Sequence, residues 1–359
     1  MELAFTDHRG DAAGWARELG ISREAVEIYQ ASDVIDLHID SFIWNRIWGY
    51  DLTARHDHGL LRAHFYSQVD FPRILEAGVT GATWVITTNP LRSASGRVEA
   101  FERNLAALVR QFEAVPEQFA VVRTAAEYRA ARAAGKHGAF LGVQGGNALD
   151  GDLGVLDRID ASLLLRVTLV HLSSSKLGVT SSPLAFGGEH AGLSDLGREL
   201  VRRLDEKNVF VDLAHISRQG FFDALEVHDR SKPVLVTHTG IDAVHRHWRN
   251  LTDQQIRAVA DLGGTIGIMY QSSFLGDPIW GGKLASIVDH MAHVIQVVGE
   301  DHVSLGSDWD GAISPPRDLP TCLELPRLAE EMLRRGWSPG RIGKVLGGNA
   351  LRTIAALRG

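Results

Sequence analysis

Cysteine is nearly absent from this sequence: its 359 residues contain one, Cys322. A single cysteine excludes an intrachain disulfide. The sequence also lacks an apolar run of the roughly 18 residues that a membrane span needs. Its first residues, MELAFTDHRGDAAG, lack the basic-then-apolar order of a signal peptide. We therefore predict a cytoplasmic protein that contacts no membrane.

Basic residues are not in excess either. Lys and Arg total 37 against 44 Asp and Glu, which gives a formal net charge of -7. Because the basic residues form no dense stripe, the electrostatic footprint of a nucleic-acid-binding protein is missing. We expect a small-molecule partner and no nucleic acid. Apolar residues make up 45% of the chain, which is enough for a sizeable core.

Linkers, repeats and low-complexity segments are also lacking, and apolar strand-like runs alternate with helical patterns. Eight strands are predicted, at Val34–Asp40, Val79–Thr87, Gly138–Val143, Leu163–Val170, Asn208–Leu213, Pro233–Thr237, Gly263–Met269 and His302–Leu305. Helices are predicted at 11–30, 97–113, 124–134, 194–204, 217–227, 252–261, 284–298, 324–335 and 339–358. Ser194 can cap the first turn of its helix.

This alternation favours one architecture. Strands that are apolar on both faces and separated by helices pair in parallel, with both sides of the sheet covered. Eight such units predict a single α/β domain over residues 1–359, an eight-stranded (β/α) TIM-type barrel with a helical lead-in at 1–30 and extra helices within 312–359. An open doubly wound sheet is the competing layout, but no Gly-x-Gly-x-x-Gly follows an early strand.

Polar side chains stand at the carboxyl ends of the predicted strands. They are His38, Asp40, Thr88, Asn89, Gln144, His171, His215, His238, Tyr270 and Asp308. Because the carboxyl ends of barrel strands meet on one face, we expect these residues to form one site. His38 and Asp40 are two residues apart, so they project from the same side of their strand. With the later histidines, they predict a site for Zn²⁺ or a related dication.

Three residues near this predicted site suit roles other than metal binding. Asp308, in GSDWDG, fits a general base beside a metal, whereas the alternative is a turn aspartate; Asp310 fits a structural role better. His171 could donate to a substrate carbonyl or to a developing oxyanion, or be a hydrogen-bonded loop histidine. Arg249 could clamp a substrate carboxylate with two guanidinium N–H groups, or lie solvated on the surface.

The segment 41–65 is predicted as a long polar and aromatic loop. It carries Trp44, Trp48, His56, His58 and His64. We interpret the three histidines as a solvated face with some lid function, since long loops in compact domains tend to be lids or binding loops. The two tryptophans, and Tyr270 after the seventh strand, could line an apolar pocket or belong to the core.

Eight motifs follow one another along nearly the whole chain. They are IDLHID at the first strand, GVQGGNAL at 142–149, RVTLVH at 166–171, GLSDLGRELVRRLDEKNVFVDLAHIS at 192–217, VTH at 236–238, RNLTD at 249–253, HVSLGSDWDG at 302–311 and GGNALR at 347–352. In this order and spacing they resemble the membrane (renal) dipeptidase family, a branch of the metal-dependent amidohydrolase superfamily.

The resemblance implies a barrel with two zinc ions that hydrolyses dipeptides, and in some members β-lactams; members are commonly dimers. It implies a first metal on His38 and Asp40, a second on His215 and His238, substrate contacts from His171 and Arg249, and proton transfer by Asp308. Two positions depart from the family pattern. Ile39 stands where the family usually has Asn, and Gln144 replaces the glutamate that bridges both metals. A neutral amide offers one carbonyl oxygen as a ligand, so we expect at least one metal to bind more weakly.

The sequence therefore predicts a metal-dependent, dipeptidase-like hydrolase acting on the amide bond of a dipeptide or a similar small carboxylate-bearing substrate, with one or two zinc ions. Gln144 motivates an alternative, a tailoring enzyme with one metal or a changed chemistry: a non-peptide amide hydrolase, a lyase or a decarboxylase. A catalytically silent binding protein is a third possibility. A silent site, however, has no need of Asp308 together with four strand-end histidines.

Overall fold

Eight parallel strands close into a barrel in the computed structural model, which describes residues 2–59, 61–89, 91–183 and 192–359. The described strands, which include one short strand outside the ring, are β1 (Ile35–Ile39), β2 (Gly81–Thr87), β3 (Phe119–Val121), β4 (His137–Gln144), β5 (Leu164–Thr168), β6 (Phe210–Asp212), β7 (Leu235–Thr239), β8 (Thr265–Ile268) and β9 (Val303–Leu305). Around the barrel the order is β1-β2-β4-β5-β6-β7-β8-β9. The predicted TIM-type fold and all eight predicted strands are thus confirmed.

The short strand β3 lies outside this closed ring. It pairs in parallel with the first three residues of β4, while β5 pairs with the later part of the same strand. Sequence reasoning missed β3 because a strand of three residues is too short to show a period.

Helices surround the barrel. They are α1 (Ala12–Leu19), α2 (Arg23–Ala31), α3 (Phe42–Trp48), α4 (Phe71–Glu76), α5 (Ala94–Glu113), α6 (Ala125–Ala133), α7 (Val155–Arg158), α8 (Asp195–Glu206), α9 (Arg218–Val227), α10 (Asp253–Asp261), α11 (Leu284–Val298), α12 (Pro326–Arg334), α13 (Pro339–Gly343) and α14 (Asn349–Arg358). No helix within the described ranges has both the length and the apolar content that a bilayer crossing needs.

The sequence prediction did not include the short helices α4 and α7, and it differs from the structure in the lead-in, the segment 41–65 and the tail. The lead-in is two helices, because Gly20 has a left-handed φ of 67° that ends α1. The predicted loop at 41–65 contains the helix α3. The predicted tail helix is interrupted at 344–348, where Gly347 lies so close to Asp33 that a Cβ would be 2.4 Å from the Asp33 carbonyl oxygen. The predicted cap is present, since Ser194 Oγ accepts from the Gly197 N–H at 3.1 Å.

The seam that closes the barrel joins residues far apart in the chain. The Asp36 carboxylate of β1 accepts from the backbone N–H of Ser307 at 3.1 Å, across 271 positions. The backbone N–H of Asp40 donates to the carbonyl of Trp309 at 2.8 Å. The second contact joins the residues that follow β1 and β9, so closing the barrel also brings Asp40 close to Asp308.

A buried histidine at the start of β4 makes fold stability depend on pH. Trp84 Nε1 donates to His137 Nε2 at 3.2 Å, and His137 Nδ1 lies 2.8 Å from the Val79 carbonyl oxygen. Burial lowers the pKa of His137 from 6.5 to about 4. Between these values the unfolded chain binds a proton that the folded protein excludes, so stability is lost as pH falls from 6.5 towards 4. The difference corresponds to about 3 kcal/mol.

We expect the variant His137→Gln to lose less stability on acidification than the wild type. A glutamine can keep both hydrogen bonds and does not titrate. Urea unfolding at pH 7 and pH 4.5 measures this, because the other titrating groups contribute equally to both proteins. An identical pH dependence of the unfolding free energy in the two proteins would contradict the assignment.

Candidate metal centre

The carboxyl ends of five strands bring the predicted site residues together. His38 lies in β1, Gln144 ends β4 and His238 lies in β7. His215 and Asp308 follow β6 and β9 in left-handed conformations, with φ of 66° and 63°. Such backbone conformations are costly for residues other than glycine and cluster at functional sites, where they aim a side chain. All five side chains are buried.

Three of these side chains form a compact ligand set. His38, His238 and Asp308 each offer one ligand atom, and these atoms lie within 4.8 Å of one another. The ring centroids of His38 and His238 are 3.8 Å apart. His38 Nε2 lies 3.5 Å from Asp308 Oδ1 and 3.5 Å from Asp40 Oδ2. One face of the His38 ring is therefore surrounded by two carboxylates and a second imidazole.

His215 extends the set on the far side of His238. The Nε2 atoms of these two rings are 2.8 Å apart. Two nitrogen lone pairs repel at that distance unless a proton or a cation lies between or beside them. His215 Nδ1 and Asp308 Oδ1 are buried and have no hydrogen-bond partner in the described structure. Buried polar atoms are normally satisfied, so these groups, with their nitrogen and oxygen donors, fit a divalent metal.

Burial sets the charge state of the cluster. It lowers the pKa of His215 and His238 well below the usual histidine range, which keeps both imidazoles neutral and able to bind a metal. The pKa of Asp308 lies well above its ordinary range, because the carboxyl is buried and lies near Asp40. The site therefore gains from any cation that compensates its carboxylates.

Gln144 lies beside Asp40, His38 and His171. With its amide nitrogen facing Asp40, it donates to Asp40 Oδ2 at 2.5 Å and to Thr87 Oγ1 at 2.8 Å. Its oxygen is then 3.2 Å from His171 Nε2 and 3.3 Å from His38 Nε2. In the opposite orientation the amide oxygen faces only acceptors, so the hydrogen-bond network selects the first one. The amide thus uses one end to hold a carboxylate and the other to approach two imidazoles.

A layer of charge beneath the cluster was missed at the sequence level. Arg166 Nη2 lies 2.6 Å from His38 Nδ1, and Arg166 Nη1 lies 3.2 Å from Asp212 Oδ2. Asp212 also accepts from the hydroxyls of Thr168 and Thr237. A guanidinium only donates, so it holds the His38 ring in a fixed orientation. The sequence does contain one signal for this layer, the arginine inside the otherwise apolar run LLLRVTLV. Because buried charges are retained only when paired, an arginine in a buried strand indicates a buried acidic partner.

His171 and Arg249 both lie beside the cluster. The ring of His171 is 4.6 Å from that of His215, centroid to centroid. Arg249 is 4% exposed, and its Nη2 donates to the carbonyl of His238 at 2.8 Å. Its Nε is buried without a partner among the described residues. Burial lowers the pKa of Arg249 to about 10, so the group stays cationic at neutral pH.

The aromatic residues fall into different environments. Tyr270 is fully buried and packs edge-on against Trp309, with ring centroids 5.3 Å apart; its role in substrate binding stays a prediction. Trp44 Nε1 donates to the Asp310 carbonyl at 2.6 Å. Trp48 is 61% exposed and stacks at 4.5 Å against Trp44.

Asp310 is held by the surrounding loops. Its carboxylate accepts from the hydroxyl of Ser41 and from the backbone N–H of Gln68, while its own N–H donates to Gln68 Oε1 at 2.6 Å. These bonds tie the segments after β1 and β9 to residue 68. In the predicted lid segment, His64 lies edge-on to Trp280 at 4.5 Å, so a lid function there stays a prediction.

Comparison with known proteins supports a family assignment. The family model of the membrane dipeptidase (peptidase family M19) matches residues 22–358. A solved dipeptidase AC, a metallopeptidase of family M19, is 26% identical, with a TM-score of 0.78 over 90% of this chain and 99% of that chain. A metallopeptidase from Rhodobacter sphaeroides, solved with a phosphinate mimic of the dipeptide L-Ala-D-Ala, is 25% identical, with a TM-score of 0.80 over 91% and 99%. The probable dipeptidase PvdM from Pseudomonas aeruginosa, at 19% identity, shares the fold with a TM-score of 0.81 over 95% and 99%.

Proposed function

Because this chain belongs to the membrane dipeptidase family of metallohydrolases, we propose that it hydrolyses the amide bond of a dipeptide or of a similar small substrate with a free carboxylate. The observation that carries the proposal is the buried cluster of His38, His238 and Asp308, whose ligand atoms lie within 4.8 Å of one another. A hydrolase that polarises an amide carbonyl needs such a preorganised site.

In the proposed site His38 and Asp40 would hold one metal, and His215 and His238 would hold a second. Gln144 would offer its amide oxygen as a further ligand. Zinc suits this set of imidazole and carboxylate donors. Bound there, the metal supplies Lewis acidity and makes water easier to deprotonate. Zinc analysis of the purified protein tests the identity of the ion.

The remaining steps belong to side chains around the metals. Asp308 accepts the proton of the attacking water and returns it to the leaving amine; its orphaned Oδ1 supports this role. His171 donates to the oxyanion that develops on the carbonyl carbon, and its position beside His215 supports that role. Tyr270 forms part of the wall behind the substrate.

Arg249 is proposed to bind the substrate carboxylate, and its removal gives a measurable prediction. We expect Arg249→Met to lower kcat/KM for a dipeptide by about 30-fold or more, mainly through KM, since a charge-assisted pair is lost. Arg249→Lys, which keeps the charge, is the matched variant and should retain part of the affinity. A dipeptide amide, which lacks the carboxylate, should be hydrolysed equally by wild type and variant. If Arg249→Met lowered kcat/KM for the dipeptide amide as much as for the dipeptide, Arg249 would not be the carboxylate-binding residue.

A second function is favoured by Gln144. Its amide nitrogen points at Asp40, so only a single neutral oxygen faces the histidines. This arrangement supports a one-metal enzyme with changed chemistry, such as a non-peptide amide hydrolase, a lyase or a decarboxylase. About two zinc ions per chain with dipeptide turnover would support the dipeptidase, and about one ion without turnover would support the second function.

A cytoplasmic location and a homodimer remain predictions. Cell fractionation tests the first and sedimentation equilibrium tests the second.

A further inference from the structure

A cavity of about 690 Å³ opens beside the candidate metal centre. Thr87 and Thr88 at the end of β2 form one wall, α3 and α5 form two others, and His171 borders it on the side of the metal ligands. This volume exceeds what the two backbone units of a dipeptide occupy, so the cavity has room for a side chain.

Three arginines line this cavity, Arg46, Arg92 and Arg103, and none of the described lining residues is acidic. Arg46 is half-buried; its Nη2 donates to the Thr87 carbonyl at 2.6 Å, and its Nε is buried without a partner. Within the described ranges neither Arg46 nor Arg92 forms an ion pair, and Arg103 has only an exposed contact with Glu99 at 3.7 Å. The described structure therefore gives Arg46 and Arg92 no direct carboxylate partner, although burial lowers the pKa of the Arg46 guanidinium and Asp40 lies near enough to oppose that shift.

Two buried neutral groups in the same wall are also unsatisfied. Thr88 is 4% exposed and Asn147 is 5% exposed, and both line the cavity. Thr88 Oγ1 and Asn147 Oδ1 have no hydrogen-bond partner in the described structure. Because native proteins rarely leave buried polar atoms unpaired, these groups point to a polar occupant. The Thr88 hydroxyl and the guanidinium groups of Arg46 and Arg92, in the same lining, can donate to an anion, whereas Asn147 Oδ1 only accepts and needs a donor group on the occupant.

We propose that this cavity is a specificity site for a carboxylate-bearing side chain on the N-terminal residue of the substrate. The inference rests on the proposed dipeptidase function. Arg249 is anchored to β7 through His238, and β7 lies opposite β2 in the barrel order. A dipeptide whose terminal carboxylate is bound by Arg249 crosses the metal ligands and directs its first side chain towards Arg46. The enzyme thus prefers acidic residues in the first position.

Isosteric peptide pairs test this preference. L-Glu-Ala and L-Gln-Ala, each with the L- and the D-form of alanine, differ in the charge of the first side chain and hardly in its shape. With the zinc-loaded full-length protein we expect kcat/KM for the Glu peptide to exceed that for the Gln peptide by about tenfold or more. Arg46→Met should collapse this ratio towards one. The double variant Arg92→Met/Arg103→Met, which changes exposed residues, should lower it even if Arg46→Met fails to fold.

Arg110→Met is the matched control, because Arg110 is exposed on α5 and does not line the cavity. It should leave the ratio unchanged. The proposal would be overturned if the wild-type protein hydrolysed both peptides at equal rates. It would also be overturned if the Glu-to-Gln ratio of kcat/KM survived the arginine substitutions, or if the protein preferred an acidic side chain only in the second residue. If neither peptide is hydrolysed, the proposed function fails. Calorimetric titration of the same peptides then tests the specificity site by itself. Tighter binding of L-Glu-Ala than of L-Gln-Ala that depends on Arg46 supports the site, and equal binding of the two peptides overturns it.

Discussion

Asp308→Asn should lower kcat for dipeptide hydrolysis by about 10²- to 10⁴-fold, the usual contribution of a general acid–base group. The asparagine keeps an oxygen near His38 Nε2, which in the wild type lies 3.5 Å from Asp308 Oδ1. It loses the ability to accept a proton. We therefore expect the tight metal to be retained while turnover is lost. Kinetics at saturating zinc, with zinc content measured on the same sample, separate the two effects.

Asp310→Asn provides the matched control for this experiment. Asp310 lies two residues further on and is also fully buried, but its carboxylate is bound by Ser41 and Gln68 rather than turned towards the histidines. Asp310→Asn should lower the thermal stability, since one carboxylate oxygen that accepts a hydrogen bond becomes an amide nitrogen that donates. The variant should keep most of its kcat. Equal activity of Asp308→Asn and the wild type would reject the role of Asp308 as the base.

Gln144→Glu should tighten the binding of the weaker metal, so that zinc content at limiting zinc rises towards two ions per chain, and should increase dipeptide hydrolysis by about tenfold or more. Two divalent cations carry four positive charges, whereas Asp40 and Asp308 supply two negative ones. A glutamate adds a third negative charge and a second anionic oxygen, which lets one side chain bind both ions.

The same variant makes a prediction that does not depend on turnover. In the wild type the amide nitrogen of Gln144 donates to Asp40 Oδ2 at 2.5 Å. A glutamate in that place puts two carboxylates against each other, so the zinc-free variant should melt at a lower temperature than the zinc-free wild type. Added zinc should then raise its melting temperature by more than it raises that of the wild type.

Gln144→Met is the control for side-chain size, because it removes the oxygen without adding charge. It should gain neither zinc nor activity. A Gln144→Glu protein that gains neither metal affinity nor dipeptidase activity would show that the amide is not what limits the second metal.

The barrel could be predicted from the sequence because its strands are apolar on both faces. Every residue of β4 is buried, and its interior GAFLGV appears as a continuous apolar run rather than an alternating one. The helix α3 was missed for a related reason. It has seven residues, and its tryptophans and arginine give no clear helical period.

The candidate site could be predicted only where its residues stand at strand ends. His38, His215, His238 and Asp308 follow that rule, and the structure brings them together. Arg166 does not, because it lies in the middle of β5, where it pairs with Asp212 at the end of the neighbouring strand β6. Spacing along the chain cannot show which strands are neighbours at a given depth. The orientation of the Gln144 amide could not be predicted from the sequence either, since it is set by hydrogen bonds to Asp40 and Thr87.

The seam between β1 and β9 has a consequence for the synthesis of the protein on the ribosome. Asp36 and Ser307, which meet there, are 271 positions apart. At about 5–20 residues per second, a ribosome takes roughly 15 to 55 s to travel from one to the other. Near the end of that time all four site histidines have been synthesised, but Asp308 and the closing strand β9 have not. We therefore expect the complete site to bind its metals only after the last strand is made, and a chain that stalls before that strand to be prone to binding the wrong metal and to capture by chaperones.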